Sequence, residues 1–195
     1  LYFVENIFHA KFEVKKSNFF AYLSAIEEFE SLHVRLKKEH PKANHIVWAY
    51  RVLNEYKQIV ENSSDDGEPK GTSGPPILNV MRGEGLINCT ILVVRYFGGI
   101  KLGTGGLVRA YGSSAKEVIK DAELIKYEEK ICLKFHTPFP LLSRFEHYFL
   151  NAKVQEIKKD FDAQGALWEV FLTQEQKKDF ENFSSAFKMD GIVFL

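Results

Sequence analysis

KVQEIKKDFDAQGALWEVFLT, residues 153–173, reads as two extended segments hinged on a tight turn. Asp162, Ala163, Gln164 and Gly165 separate the β-rich runs 153–160 and 165–173, which makes the pair a hairpin. Helical spacing flanks it on both sides. Upstream, Leu142, Phe145 and Phe149 recur at intervals of three and four and predict a helix over 140–151; downstream, Phe180, Phe183 and Phe187 do the same over 175–188. Strands at 128–136 and 191–195 close the ends. The resulting order, βαββαβ, is that of the ferredoxin-like fold and sets residues 127–195 apart as one domain of a two-domain α+β chain.

Residues 1–126 make the other domain. Extended pieces run from Lys11 to Ser24 around Lys15, Lys16 and Ser17, and Ile26, Phe29, Leu32 and Leu36 stripe a helix over 26–40 that Pro41 stops. HIVWAYRVL (45–53) and YKQIVE (56–61) read as a hairpin turning at Asn54 and Glu55. A short helix is expected at 77–82, and NCTILVVRY (88–96) is the most apolar strand. A second helix carries Leu107, Tyr111, Ser114, Val118 and Ala122 on one stripe.

With 45% hydrophobic and 27% charged residues, the chain has the composition of an ordinary globular protein. Its 26 basic residues balance 26 acidic ones, which excludes a protein that holds nucleic acid by a global positive field; phosphate binding has to be local. No apolar run approaches the ~18 residues of a membrane span, so no membrane partner is expected. Cys89 and Cys132 lie in strand-like runs without a CxxC partner and read as small buried hydrophobes, in keeping with a cytoplasmic protein.

Two loops concentrate acid, base and glycine: SSDDGEPKGTSGPP (63–76) and RYFGGIKLGTGGLVR (95–109). Asp65, Asp66 and Glu68 either hold Mg²⁺, act as acid and base, or simply build a solvated turn before Pro69. Gly98, Gly99, Gly103, Gly105 and Gly106 join a strand to a helix start, where free N–H groups suit a phosphate, with Arg95, Lys101 and Arg109 beside them; close packing of helix on strand is the competing explanation. The string is neither a Walker loop nor a dinucleotide fingerprint. His33, His40 and His45 are not spaced as a metal set, and no serine or cysteine nucleophile stands in a recognisable motif, so no catalytic residue is assigned. Arg51, on a strand with Trp48 and Tyr50, is expected to point toward the surface of the carboxylates.

SDDGEPKGTSGPPILNVMRGEGL (64–86) followed by RYFGGIKLGTGGLVRAYGSSA (95–115) resembles the signature of the IMPACT family, the YigZ-type proteins. Lys16 to Phe19, His40-Pro41, His45 and Ala49-Tyr50-Arg51 add to the match. Lys70 and Ser73 stand where the family commonly has Ser and Ala, and Thr104 where Ala is common. The resemblance implies an N-terminal domain like the second domain of a small-subunit ribosomal protein, shared with elongation factor G domain IV, and a C-terminal domain like elongation factor G domain V. It therefore implies a cytoplasmic regulator of translation that binds RNA, the ribosome or a translation factor without catalysis. No cofactor and no DNA specificity are expected. Arg51, Asp65, Asp66, Glu68, Lys70, Arg95, Gly98, Gly99, Lys101, Gly103, Gly105, Gly106 and Arg109 are the expected binding residues. The alternative is a Mg²⁺-dependent enzyme acting on a phosphorylated small molecule or nucleotide, with the three carboxylates on the metal and the glycine loop on the phosphate.

Overall fold

The computed structural model describes all 195 residues, which divide into two compact units, Leu1–Tyr127 and Glu128–Leu195. The first is built on a five-stranded antiparallel sheet. Its strands are β2 (Phe8–Val14), β3 (Ser17–Ala25), β4 (His45–Leu53), β5 (Ile59–Ser64) and β6 (Cys89–Tyr96), arranged β2-β3-β6-β4-β5. A short β1 (Tyr2–Phe3) pairs with β7 (Ile125–Lys126) and joins the two ends of the unit.

The apolar run of β6 is explained by its place at the centre. Cys89, Ile91 and Val93 face α2 (Gly74–Gly83) and α3 (Thr104–Lys120), while Leu92 and Val94 face α1 (Phe29–Glu39). A strand covered on both faces has no reason to alternate in polarity. The expected elements are present with shifted ends. Helix α2 begins at Gly74 rather than 77, because Pro75 and Pro76 occupy the first turn, where a missing N–H costs nothing. Strand β5 begins at Ile59 rather than 56, since Asn54 accepts from the backbone N–H groups of Tyr56 and Gln58 and extends the turn.

In the second unit, β8 (Ile131–Pro138), β9 (Ile157–Phe161), β10 (Gly165–Leu172) and β11 (Val193–Phe194) form a sheet ordered β11-β8-β10-β9, with α4 (Leu142–Asn151) and α5 (Gln174–Ser185) between them. This is the expected ferredoxin-like arrangement. Its core is aromatic: Phe135, Phe145, Phe149, Trp168 and Phe180 are all essentially inaccessible. Cys132 is exposed rather than buried, because it alternates with the core-facing Leu133 and Phe135 along β8; Cys89 is buried as expected.

Two glycines permit close backbone approaches. A Cβ on Gly165 would land on the Thr137 carbonyl across the β8–β10 pair, and one on Gly98 on the Lys16 carbonyl. Gly98→Ala and Gly165→Ala are expected to lower unfolding free energy by about 1–3 kcal/mol or more, as overpacking does. Urea titration followed by circular dichroism reads this directly, and unchanged midpoints would contradict the packing described.

Candidate functional site

Each carboxylate of the 63–76 loop has a separate task. Asp65 caps α2: Oδ1 accepts from the backbone N–H groups of Ser73 (3.0 Å) and Gly74 (2.9 Å) and from the Ser73 hydroxyl (2.7 Å), and Oδ2 from Gly71 N–H (2.7 Å). Burial alone would raise its pKa, but these donors outweigh it and hold the carboxyl below its ordinary value. Asp66 adopts a left-handed conformation and ties the loop to β4. Its Oδ2 accepts from Ile46 N–H at 2.6 Å, and its carbonyl accepts from His45 Nδ1 at 2.7 Å.

Glu68 is buried. It forms an ion pair with Arg95 on β6 and accepts from the Tyr111 hydroxyl of α3 at 2.8 Å. His45 Nε2 lies 3.8 Å from its other oxygen. Burial first, and then the Glu68 charge, push the Tyr111 hydroxyl pKa far up, so it stays a donor. The three carboxylates therefore do not converge, and no group of three or more His, Cys, Asp or Glu side chains is arranged to hold a metal ion.

Arg51 corrects an expectation. It is buried, paired at 3.0 Å with Glu61, and donates to the carbonyls of Met81 (3.3 Å) and Leu86 (2.8 Å) at the end of α2. Its guanidinium meets one carbonyl in the last turn of that helix and one just beyond it, and is not presented with the carboxylates. Lys70 is exposed and has no ion-pair partner.

The glycine loop separates into a structural and an open part. Gly98 packs on the β2–β3 turn and donates to the Ser17 hydroxyl at 3.1 Å. Gly99 and Gly103 have φ of 83° and 73°, which favours glycine, and both are open. Gly106 packs on Leu102, and Gly105 lies beneath Arg109, whose Nη1 is 3.6 Å from the position a Cβ would take.

Helix α3 starts without a side-chain cap and without an acidic residue in its first turn. Its first N–H groups and positive dipole end meet two exposed cations, Lys101 and Arg109, neither of which has an acid partner. Lys15 and Lys16, both left-handed at the tip of the β2–β3 hairpin, are likewise unpaired. A cleft of about 460 Å³ opens beside this helix start, lined among others by His45, Glu68, Arg95, Phe97, Lys101 and Thr104.

The site thus brings together Glu68, Arg95, Lys101 and Gly103, while Arg109 sits on the helix start and Asp65 and Asp66 hold the loop behind it. Sequence reasoning passed over His45, set aside with the other histidines, and Phe97, hidden between an arginine and two glycines. His33 stacks on Phe29 and His40 bonds Tyr96 at 2.9 Å, apart from this cleft.

The uncapped start of α3 thus opens onto a cleft in which the Glu68–Arg95 pair and Lys101 lie beside the apolar side chains of Phe97, Leu102 and Leu107. The protein-family model for the Impact N-terminal domain matches residues 15–119, over half the chain, and the protein belongs to the IMPACT family. An IMPACT family member of Haemophilus influenzae is 36% identical over 154 residues, covering 77% of this chain and 75% of that one. A Thermus thermophilus family member is 38% identical, covering 78% and 82%. Among solved structures, a crystal structure of a hypothetical protein superposes with a TM-score of 0.72 at 28% identity, covering all of this chain and 95% of the other.

Replacing Asp65 by alanine is expected to destabilise the first unit by about 1–2 kcal/mol at pH 7, as loss of a cap does. Because the folded carboxyl is held below its ordinary value of 3.8, this stabilisation is fully present above that pH and is lost as pH falls through the folded value. The gap between wild type and Asp65→Ala in urea midpoint should therefore narrow from pH 7 toward pH 3. A gap independent of pH would show that the carboxylate charge is not what caps the helix.

Proposed function

We propose that this protein is a cytoplasmic regulator of translation that works by binding rather than catalysis, gripping phosphates of RNA on or around the ribosome. The observation that carries this reading is the start of α3. An uncapped helix end is an electrostatic site for an anion, and here cations gather at it instead of a carboxylate. Lys101, in the cleft, and Arg109, over Gly105, each oppose the helix dipole until an external anion arrives. Backing them is Arg95, with only 7% of its side chain exposed and its Nε buried without a hydrogen-bond partner.

Family membership supports a role in translation through the likeness, implied by the resemblance, of its two domains to those of a ribosomal protein and a translocation factor. A fold likeness is an associational warrant, so the site has to carry the specific claim. The competing Mg²⁺-dependent reading would need Asp65 to give up four donors and Asp66 to release β4. Both losses would loosen the loop that is meant to hold the metal.

No helix is long and apolar enough to cross a membrane. Co-sedimentation with ribosomes, at low and moderate salt, tests the proposal. Wild type is expected to pellet in a salt-sensitive manner, and Lys101→Ala/Arg109→Ala to lose binding and flatten the salt slope by about two. Equal pelleting of both proteins would remove this surface from the function.

A further inference from the structure

Phe97 is a large apolar ring left 46% exposed at the mouth of the cleft, and its exposure is enforced. Its backbone N–H donates to Asn44 Oδ1 at 2.8 Å, and the next residue, Gly98, is wedged against Lys16 and Ser17. With both sides of its Cα pinned, the ring is held by a fixed backbone. Single exposed apolar residues are ordinary on protein surfaces. What distinguishes this one is its neighbour on the inner side.

The Arg95 guanidinium lies between two rings, its carbon 5.6 Å from the centroid of buried Phe19 and 5.8 Å from that of Phe97. The stack Phe19, Arg95, Phe97 is held in place by the Glu68 ion pair. A cation against one side of a ring draws π density toward itself. The rest of the ring is then poorly suited to a second cation and better suited to a neutral, electron-rich π surface. Lys101 and Thr104 line the same cleft, at the start of α3.

We propose that Phe97 is a stacking platform for the base of a nucleoside phosphate whose phosphate rests on the N-terminal turn of α3 beside Lys101. This rests on the anion-binding reading of that helix start and names the ligand it takes: a flat neutral base joined to an anion, either in an unpaired stretch of RNA or as a free nucleotide. Stacking of this kind is tolerant of base identity, because every base has a π face. The platform therefore selects single strands over duplexes, in which base faces are already covered.

The full chain is titrated by fluorescence anisotropy with labelled octa-adenylate. Unlabelled competitors are adenosine monophosphate, inorganic phosphate and an abasic ribose-phosphate octamer. Wild type is compared with Phe97→Ala, Phe97→Trp and Lys101→Ala/Arg109→Ala, after each variant is shown to melt like wild type. Phe97→Ala is expected to weaken octa-adenylate binding about tenfold or more, the span alanine substitution shows at stacking sites. The abasic octamer should bind wild type and Phe97→Ala alike. In Phe97→Trp the added indole should be quenched on binding.

Competition by adenosine monophosphate at the octamer's own concentration identifies a free nucleotide as the ligand, and competition by the octamer alone identifies RNA. Either result supports the platform. If Phe97→Ala binds as tightly as wild type while Lys101→Ala/Arg109→Ala loses binding, stacking is overturned and the anion site stands. If the charge variant also binds like wild type, or no probe binds wild type, both fall.

Discussion

A carboxylate buried away from water is unfavourable unless its oxygens find donors, and the Glu68 side chain meets that requirement across the first unit. Arg95, 27 residues along the chain on β6, and Tyr111, 43 residues along on α3, both donate to the same oxygen. This junction joins the acidic loop, the central strand and the second glycine-loop helix. The cleft, the position of Arg95 between its two rings and the approach of His45 to the carboxylate all depend on it. A neutral residue at 68 would leave Arg95 as an uncompensated buried charge, which is why the loop and the strand belong together as one site.

The two helix starts in this unit show how charge is apportioned. At α2 the dipole is met from within, by the Asp65 carboxylate reaching back over Gly71, Ser73 and Gly74. At α3 nothing within the chain meets it, and Arg109 folds over the first turn with its sign reversed from what stability favours. A chain with equal numbers of acids and bases has carboxylates to spare, so the bare helix start is a matter of placement rather than supply. Stability is given up at one helix end and secured at its neighbour, on the same rigid frame.

The second unit contributes a different kind of order. Its aromatic rings converge on Phe135, which contacts Phe145, Phe149, Trp168, Phe180 and Phe194 at centroid distances of 5.0–6.2 Å. The sheet face away from the helices is charged, with Lys134 paired to Glu169 at 3.3 Å and Lys158 over the Phe171 ring. A small α+β unit with so dense an aromatic core buries enough apolar surface without a disulfide, consistent with its single free cysteine.

Local physics was legible in the sequence. Spacing of apolar residues announced α1, α3, α4 and α5, and Asp162 to Gly165 announced the β9–β10 hairpin, because side-chain period and turn chemistry act over a few residues. Element ends were less so: two prolines moved the start of α2, and Asn54 moved that of β5, through hydrogen bonds that spacing does not reveal. The loops were visible as unusual, but their division of labour was not. Whether Asp65 holds a metal or a helix, whether Arg51 faces outward or seals the end of α2, and whether Phe97 is core or surface all depend on partners 8 to 53 residues away. The sequence by itself determined the fold class, the family and the two loops in which acid, base and glycine concentrate. Only the tertiary structure decided which of their charges are spent internally and which remain free, because a buried charge is defined by its neighbours in space and not by those along the chain.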